Sequence, residues 1–544
     1  MKRILTLIGV MVMGGMLLIS SPQVSLTQAA DYDITGVWRL FWDDDCYEDY
    51  VFDGDYFKFV GGTTSGSWEY YYMFDCWTDS GMNYNVSGTT LTMTENNYKV
   101  VDGIFLDKNT INATYYDGDY HFCFKLERVI NDQKPFGSFD LPGNGTVVSG
   151  SIPISGWALD DTMLTSLKIY YSPVASTASQ SSNWQLVEDS VDFLHGARPD
   201  IEGTYPSNYY CDCAGWGYMC LTYFLPNGGN GPFMLHVVAT DIAGNSTTWS
   251  VTVTGNNANR VNPFGAIDTP EQCGYASVYG DQGYKYRNWG WALTPWPNYI
   301  PIKGIGVYID GVRKGDVKYN LYRSDIANFF PGYSNSAGAG GYFDLDLSPY
   351  PDLTRHVLFW FAIDSAGNRD GIGSRYFFVD KWAYSWAETD EKSETPVTIR
   401  CKKSKDRTLH EKDLAPYGIP IPDIPLNSTE PIAVKRGINP DTPYISVFPT
   451  GAGITRLNVE IGERIEIRVS NDKNTEITGY IVVNNNILTP LPIGSTLDQD
   501  NKTFSWIPGP GYIGEYECVF IEKKANGDVV KRKIIIDVTP GKGA

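Results

Sequence analysis

Few residues in this chain stand in patterns that could do chemistry. There are five histidines, His121, His195, His236, His356 and His410. None is spaced from another as a zinc-binding pair on a helix would be. The chain has no Gly-x-Ser-x-Gly elbow and no phosphate-cradling glycine loop ahead of a helix. Carboxylates are numerous, but catalytic pairs must face each other in space, and spacing alone selects none. The one mixed cluster is His195 with Arg198 and Asp200. The run Asp43-Asp44-Asp45-Cys46-Tyr47-Glu48-Asp49, with Asp53 and Asp55 beyond, supplies the oxygens that hard cations take. Its spacing fits no cation loop, and it reads as a solvated acidic rim. The expectation is no enzyme, no metal and no cofactor.

The elements that position these residues are dominated by a duplication. Pro135-Phe136-Gly137 answers to Pro263-Phe264-Gly265, and Gly156-Trp157-Ala158-Leu159 to Gly290-Trp291-Ala292-Leu293. Arg198-x-Asp200-Ile201 with Tyr205-Pro206 answers to Arg323-x-Asp325-Ile326 with Phe330-Pro331. Ala239-Thr240-Asp241-Ile242-Ala243-Gly244-Asn245 answers to Ala362-Ile363-Asp364-Ser365-Ala366-Gly367-Asn368. The motifs recur in order, so one module is present twice. Aromatics make up 14% of the 544 residues, with 55 Gly and 31 Pro. Aromatic and β-branched runs punctuated by turn residues predict an all-β chain.

The formal net charge of −20 argues against a nucleic-acid partner, which needs a basic footprint, and against docking on anionic lipid. Lys2-Arg3, the apolar run Ile4 to Ile19 and Ala29-Ala30 read as a signal peptide over 1–30, leaving no membrane span in the mature chain. The expected location is secreted or extracellular, with periplasm or cell surface as variants. Nine cysteines in an exported chain permit disulfides and leave at least one unpaired within the chain.

Residues 31–130 contain eight short strand candidates joined by tight turns, which predicts an up-and-down β-barrel. Trp38, Leu40 and Trp42 alternate onto one face. Gly36-Val37-Trp38, Gly66-Ser67-Trp68 and a last strand ending in Arg128 resemble lipocalin-like barrels. That resemblance implies a small apolar ligand inside, with Trp38 and Trp68 beside it; the competing reading is that Trp38 plugs the floor. Cys46 and Cys76 fall on one rim and could pair, with Cys123 as a competing partner.

Residues 131–258 and 259–380 are the two repeats. Gly-Trp-Ala-Leu strands followed by Ala-x-Asp-x-Ala-Gly-Asn hairpins resemble bacterial immunoglobulin-like modules. This implies two tandem β-sandwiches that serve adhesion, spacing or recognition. Each carries an insertion around its Arg-x-Asp motif. Two readings compete for it: an internal Arg–Asp latch, or an aromatic surface for a glycan or peptide. The binding candidates are Arg198, Asp200, Tyr205, Trp216 and Tyr218 in the first copy, and Arg323, Asp325 and Tyr333 in the second. Cys211, Cys213 and Cys220 belong to the first copy alone. They allow one disulfide, Cys211–Cys220 or Cys213–Cys220.

Residues 381–439, charged and then Pro-rich, read as a linker. Residues 440–540 are strand-rich again. Gly494-Ser495-Thr496-Leu497-Asp498 and Thr503-Phe504-Ser505-Trp506 resemble immunoglobulin/cadherin-like repeats, which implies a C-terminal sandwich. The usual Ala-x-Asp end is replaced by Cys518-Val519-Phe520, so no calcium site is carried over. The expected function is a non-enzymatic binding or adhesion protein with a glycan or protein partner outside the cell. The alternatives are a small-ligand barrel with sandwiches as spacers, and a hydrolase with accessory sandwiches.

Overall fold

The computed structural model describes residues 32–541 except 44–50, 73–74, 78–82, 96–97, 118–119, 175–182, 192, 279–282, 382–408, 411–422 and 484–486. The expected signal peptide, Cys46 and most of the charged linker lie outside the described residues, as does the side chain of Cys76. No helix among the described residues is long and apolar enough to cross a membrane.

The first module is a closed eight-stranded barrel. Its strands are Gly36–Asp43, Val51–Gly61, Ser65–Tyr72, Asn83–Ser87, Thr90–Glu95, Tyr98–Asp107, Thr110–Asp117 and Tyr120–Arg128. Each pairs with its sequence neighbour, and Tyr120–Arg128 returns to Gly36–Asp43 to close the ring. Asp75–Trp77 adds a short flap on Ser65–Tyr72. Inward positions hold Trp38, Leu40, Phe57, Phe59, Trp68, Phe105, Phe124 and Leu126 in one cluster. The Trp38 indole donates to Ile34 O at 2.8 Å, and Arg128 lies 4.4 Å from its ring. Aromatic side chains thus occupy the barrel interior, as the plugged-floor reading expects.

The two repeats have the same topology. In the first, a sheet ordered Phe136–Leu141, Ser151–Leu159, Gly215–Leu221, Phe193–Leu194 faces one ordered Val147–Val148, Ser246–Asn256, Asn230–Asp241, Leu164–Pro173, Gln185–Glu188. In the second, Phe264–Ile267, Lys285–Leu293, Gly340–Asp346, Lys318–Leu321 faces Gly274–Ser277, Arg369–Asp380, Arg355–Ile363, Ile305–Ile309, Val312–Asp316. The shared Phe-Gly motif follows from close strand approach. A Cβ on Gly137 would sit 2.1 Å from Trp157 O, and one on Gly265 would sit 2.1 Å from Trp291 O. The repeats meet through Tyr223 of the first, stacked on Phe264 of the second at 3.9 Å. Trp291, Leu293, Ile326 and Phe330 complete that contact.

The terminal sandwich begins earlier than the expected boundary at 440. Ile432–Arg436 pairs with Ile465–Arg468, Leu426 bridges Lys531, and Glu430 accepts from Arg532 at 2.8 Å. The Pro-rich end of the expected linker is therefore part of the sandwich.

This module is not an isolated bead. Its core is continuous with Leu141, Leu194 and Ala197 of the first repeat and with Tyr308, Val357, Phe359 and Tyr376 of the second. Tyr516 Oη donates to Ala197 O at 2.6 Å, and Tyr376 Oη donates to Pro510 O at 2.8 Å. Arg464 Nε donates to Gly311 O at 2.6 Å, and Thr496 Oγ1 to Asp310 O at 2.9 Å. A Cβ on Gly217 would lie 2.1 Å from the Pro510 carbonyl carbon, so only glycine lets the two surfaces touch.

Tyr516→Phe leaves the buried Ala197 carbonyl without this donor. It should cost about 1–2 kcal/mol. Urea unfolding of the full chain followed by intrinsic fluorescence measures it, and an unchanged midpoint would mean that the phenol contributes nothing to docking.

Candidate functional site

The residues singled out by sequence are mostly internal. Trp216 is fully buried in the first repeat, 6.0 Å from Phe139. It points inward because it lies on the core face of Gly215–Leu221, and Tyr218 and Cys220 share that face. Tyr218 is half-buried and lines a cavity of about 140 Å³ with Tyr171, Leu186 and Arg375. Tyr205 packs between Phe136 at 5.3 Å and Trp157 at 5.7 Å. Tyr333 packs on Phe264 at 5.2 Å. Trp68 is buried against Phe57 at 5.3 Å.

The Arg-x-Asp motif forms the same latch twice. Arg198 donates from Nε to Asp200 Oδ1 at 2.8 Å, from Nη2 to Asp200 Oδ2 at 2.7 Å, and from Nη1 to Asp140 Oδ2 at 2.5 Å. Arg323 repeats this with Asp325 at 2.8 and 2.6 Å and with Asp268 at 2.5 Å. Each fork ties the short helix Pro199–Thr204 or Ser324–Phe329 to the first strand of its sandwich. The planar guanidinium suits this two-sided grip. The latch reading therefore describes these four residues.

The expected pairings of Cys220 do not form. Cys220 is a free thiol buried in the first core, and burial pushes it up to about 12. Cys211 and Cys213 lie on the turn ahead of the strand, whereas Cys220 lies five residues along it, facing the opposite sheet.

Two buried histidines, His236 and His356, are hydrogen-bonded on both ring nitrogens. His236 lies between Ser172 Oγ at 2.8 Å and Ser250 Oγ at 2.7 Å, and burial lowers its pKa. No carboxylate orients its ring, and Ser172 is fully buried. His356 bonds Asp310 at 2.6 Å and Thr354 at 2.7 Å, fixing the loop on which the terminal sandwich rests.

The open candidate is the outer face of the second repeat. The register pairs Trp289 with Tyr342 and Arg287 with Asp344, and places Lys318 beside Tyr342. Trp289 is 39% exposed, its ring 5.1 Å from Tyr342. Arg287 lies 4.2 Å from the Tyr342 ring and Lys318 4.8 Å. Arg287 also forks onto Asp344 at 2.7 and 3.3 Å, and its hydrogen bonds hold that carboxyl below the usual range. In the first repeat the equivalent paired positions are Ser155 and Gly217, and Gly217 lies under Pro510. The same sheet face is thus covered in one copy and open in the other. Alternation in Arg287-Asn288-Trp289-Gly290 was the available sequence signal: Asn288 turns inward to accept from Trp360 Nε1, so Arg287 and Trp289 turn outward.

A second constellation joins residues far apart in sequence. Carboxylate oxygens of Asp132, Asp160 and Asp241 lie within 4.8 Å of one another, where the barrel meets the first repeat. Burial pushes the Asp160 carboxyl up to about 6, with Asp241 and Asp132 adding to the rise against hydrogen bonds from Thr162. Burial, then Asp241, raises Asp132 as well.

No family model matches the chain, and no curated protein matches it. Among solved structures, fibronectin(III)-like modules of Clostridium thermocellum are similar at 12% identity, with 47% of this chain and 100% of that one covered and a TM-score of 0.16. A Bacteroides ovatus protein of a mixed-linkage glucan utilization locus, solved with a mixed-linkage heptasaccharide, is similar at 9% identity over 75% of this chain and 72% of that one, TM-score 0.15. A tetra-tandem repeat from the extending region of a large adhesion protein is similar at 10% identity over 95% and 94%, TM-score 0.16. Values this low carry no functional argument, so function is argued from the residues of this chain.

The latch has a pH signature. Hydrogen bonds from Arg323 hold Asp325 down to about 2, below its ordinary 3.8. A depressed carboxylate adds stability that is complete above roughly pH 4 and lost as pH falls towards 2. Asp325→Asn should flatten the second repeat's stability between those limits. Thermal unfolding of the variant and the parent at pH 2.5, 4 and 7 checks this; parallel curves would contradict it.

Proposed function

We propose that the chain is a non-enzymatic binding or adhesion protein acting outside the cell, and that the outer face of the second repeat is its recognition surface. The carrying observation is the contrast between the two copies. One module fills its own outer face with the terminal sandwich, using Ser155 and Gly217 to let it approach. The other places Trp289, Tyr342, Arg287, Lys318 and Asp344 on that face and leaves it open.

The chemistry of this face suits an extended glycan. An exposed indole offers an apolar plane for the flat face of a sugar ring. Arg287, Lys318, Asp344 and the Tyr342 hydroxyl surround it with donors and acceptors for ring hydroxyls. Cations stacked on Tyr342 hold its ring in one orientation, so little freedom is lost on binding. The barrel, with its interior filled by aromatic side chains, serves as a folded terminal module in this reading.

The test is an array of neutral polysaccharides, with extracellular proteins printed alongside, probed with the full chain and two variants. Trp289→Ala should weaken glycan binding by about tenfold or more, in line with truncation of an aromatic anchor. Trp296→Ala removes a more exposed tryptophan, 75% accessible, that lies off this face, and should leave binding intact. Binding lost in the Trp296 variant alone would move the site. Binding only to printed proteins would replace the glycan with a protein partner.

A further inference from the structure

We propose that Asp132, Asp160 and Asp241 form a binding site for a hard divalent cation, which fastens the linker between barrel and first repeat to the end of that repeat. The three come from separate segments. Asp132 lies between the last barrel strand and Phe136–Leu141, Asp160 directly follows Ser151–Leu159, and Asp241 ends Asn230–Asp241. Their carboxylate oxygens lie within 4.8 Å of one another. Two oxygens on one calcium ion, each at 2.3–2.6 Å, are at most about 5 Å apart, so a single ion can reach all three.

The hydrogen bonding shows an independent gap. Each aspartate has one oxygen that accepts hydrogen bonds. Asp160 Oδ1 accepts from Thr162 N at 2.9 Å and Thr162 Oγ1 at 2.5 Å. Asp241 Oδ1 accepts from Gly244 N at 2.7 Å and Asn245 N at 2.8 Å. Asp132 Oδ2 accepts from Asn245 Nδ2 at 2.6 Å. The other oxygens, Asp132 Oδ1, Asp160 Oδ2 and Asp241 Oδ2, are buried and have no donor. Asp160 is 3% exposed and Asp241 2%. No described Lys or Arg forms an ion pair with any of the three. Arg39 Nη2 and Lys58 Nζ come near but donate to the backbone at Asp161 O and Ile242 O. Three carboxylates with no cation bonded to them directly are costly to bury together unless one joins them.

The second repeat supplies the control within the same molecule. Thr294 stands where the first copy has Asp160, and Asp364 where it has Asp241. There Thr294 Oγ1 and Asn368 Nδ2 both donate to Asp364 Oδ2 at 2.9 Å, so every oxygen of that turn is satisfied from within. Burial would raise Asp364, but its hydrogen bonds prevail and lower it. Two of the three positions differ, Thr294 standing for Asp160 and Arg260 for Asp132, and they separate a closed hydrogen-bonded turn from an open acidic one. The open turn is the one on which the barrel rests, through Val37 and Tyr56 against Met163 and Ile242.

The experiment uses the full chain after exhaustive chelation, titrated separately with calcium and with magnesium. Calorimetry should show binding at one dominant site, and the barrel–repeat transition should rise by on the order of 5 °C at saturating ion. Hydrogen exchange over residues 129–135 should slow at the same time. Asp160→Thr, which installs the arrangement of the second copy, should abolish the ion response and raise the melting temperature of the ion-free protein. Asp132→Asn should weaken ion affinity by at least tenfold, which keeps the test open if the first variant misfolds. An unresponsive parent chain would overturn the site, and so would an ion response that survives in both variants. A response to magnesium and not to calcium would keep the site and fix its ion.

Discussion

The arrangement rests on one buried junction, where the terminal sandwich lays Trp506, Tyr512 and Tyr516 against both repeats. Such rings bury a large apolar area, but each phenol must find an acceptor once water is excluded. Tyr516 finds Ala197 O, Tyr512 reaches His195 O at 3.4 Å, and Tyr376 of the second repeat finds Pro510 O. These acceptors are backbone atoms of neighbouring modules, so the phenols favour one relative position of the three sandwiches. The small residues at the contact, Gly217, Gly509 and Gly511, follow from the same demand, since a Cβ on any of them would meet a neighbour's atoms.

Much of the fold was legible in the sequence, because period-two alternation and turn residues are local signals. Eight barrel strands, two sandwiches of equal topology and a terminal sandwich all follow from them. The docking of the terminal module was not legible. Pro416 to Pro431 reads as a linker when only composition is weighed, whereas Ile424 is buried against Val519 and Ile521, and Leu426 bridges Lys531, about 100 residues further on. The candidate site was half legible. The latch could be read because Arg198 and Asp200 are two residues apart. Asp132, Asp160 and Asp241 could not, because their proximity depends on a strand order that brings three loops together.

Comparison of the copies was informative in a different way from what shared motifs suggest. Residues unique to the first copy, such as Trp216 and Cys220, are core packing. The differences that change chemistry are at plain positions: Ser155 against Trp289, Gly217 against Tyr342, and Asp160 against Thr294. A duplicated sandwich has two outer faces and two turn ends to assign. In this chain the first copy has its outer face covered by the terminal sandwich and its turn end by the barrel, whereas the second copy leaves its outer face open.

The bridge from Tyr516 to Ala197 also sets how the assembly bears load. Gly514–Lys523 pairs along its whole length with Val529–Thr539 and touches the first repeat directly. A pull on that last strand divides at the junction, across the Tyr516 bridge into the first repeat and through the Tyr376–Pro510 and Arg464–Gly311 contacts into the second. The two repeats therefore share the load side by side rather than one after the other, and neither is stretched before the junction gives way.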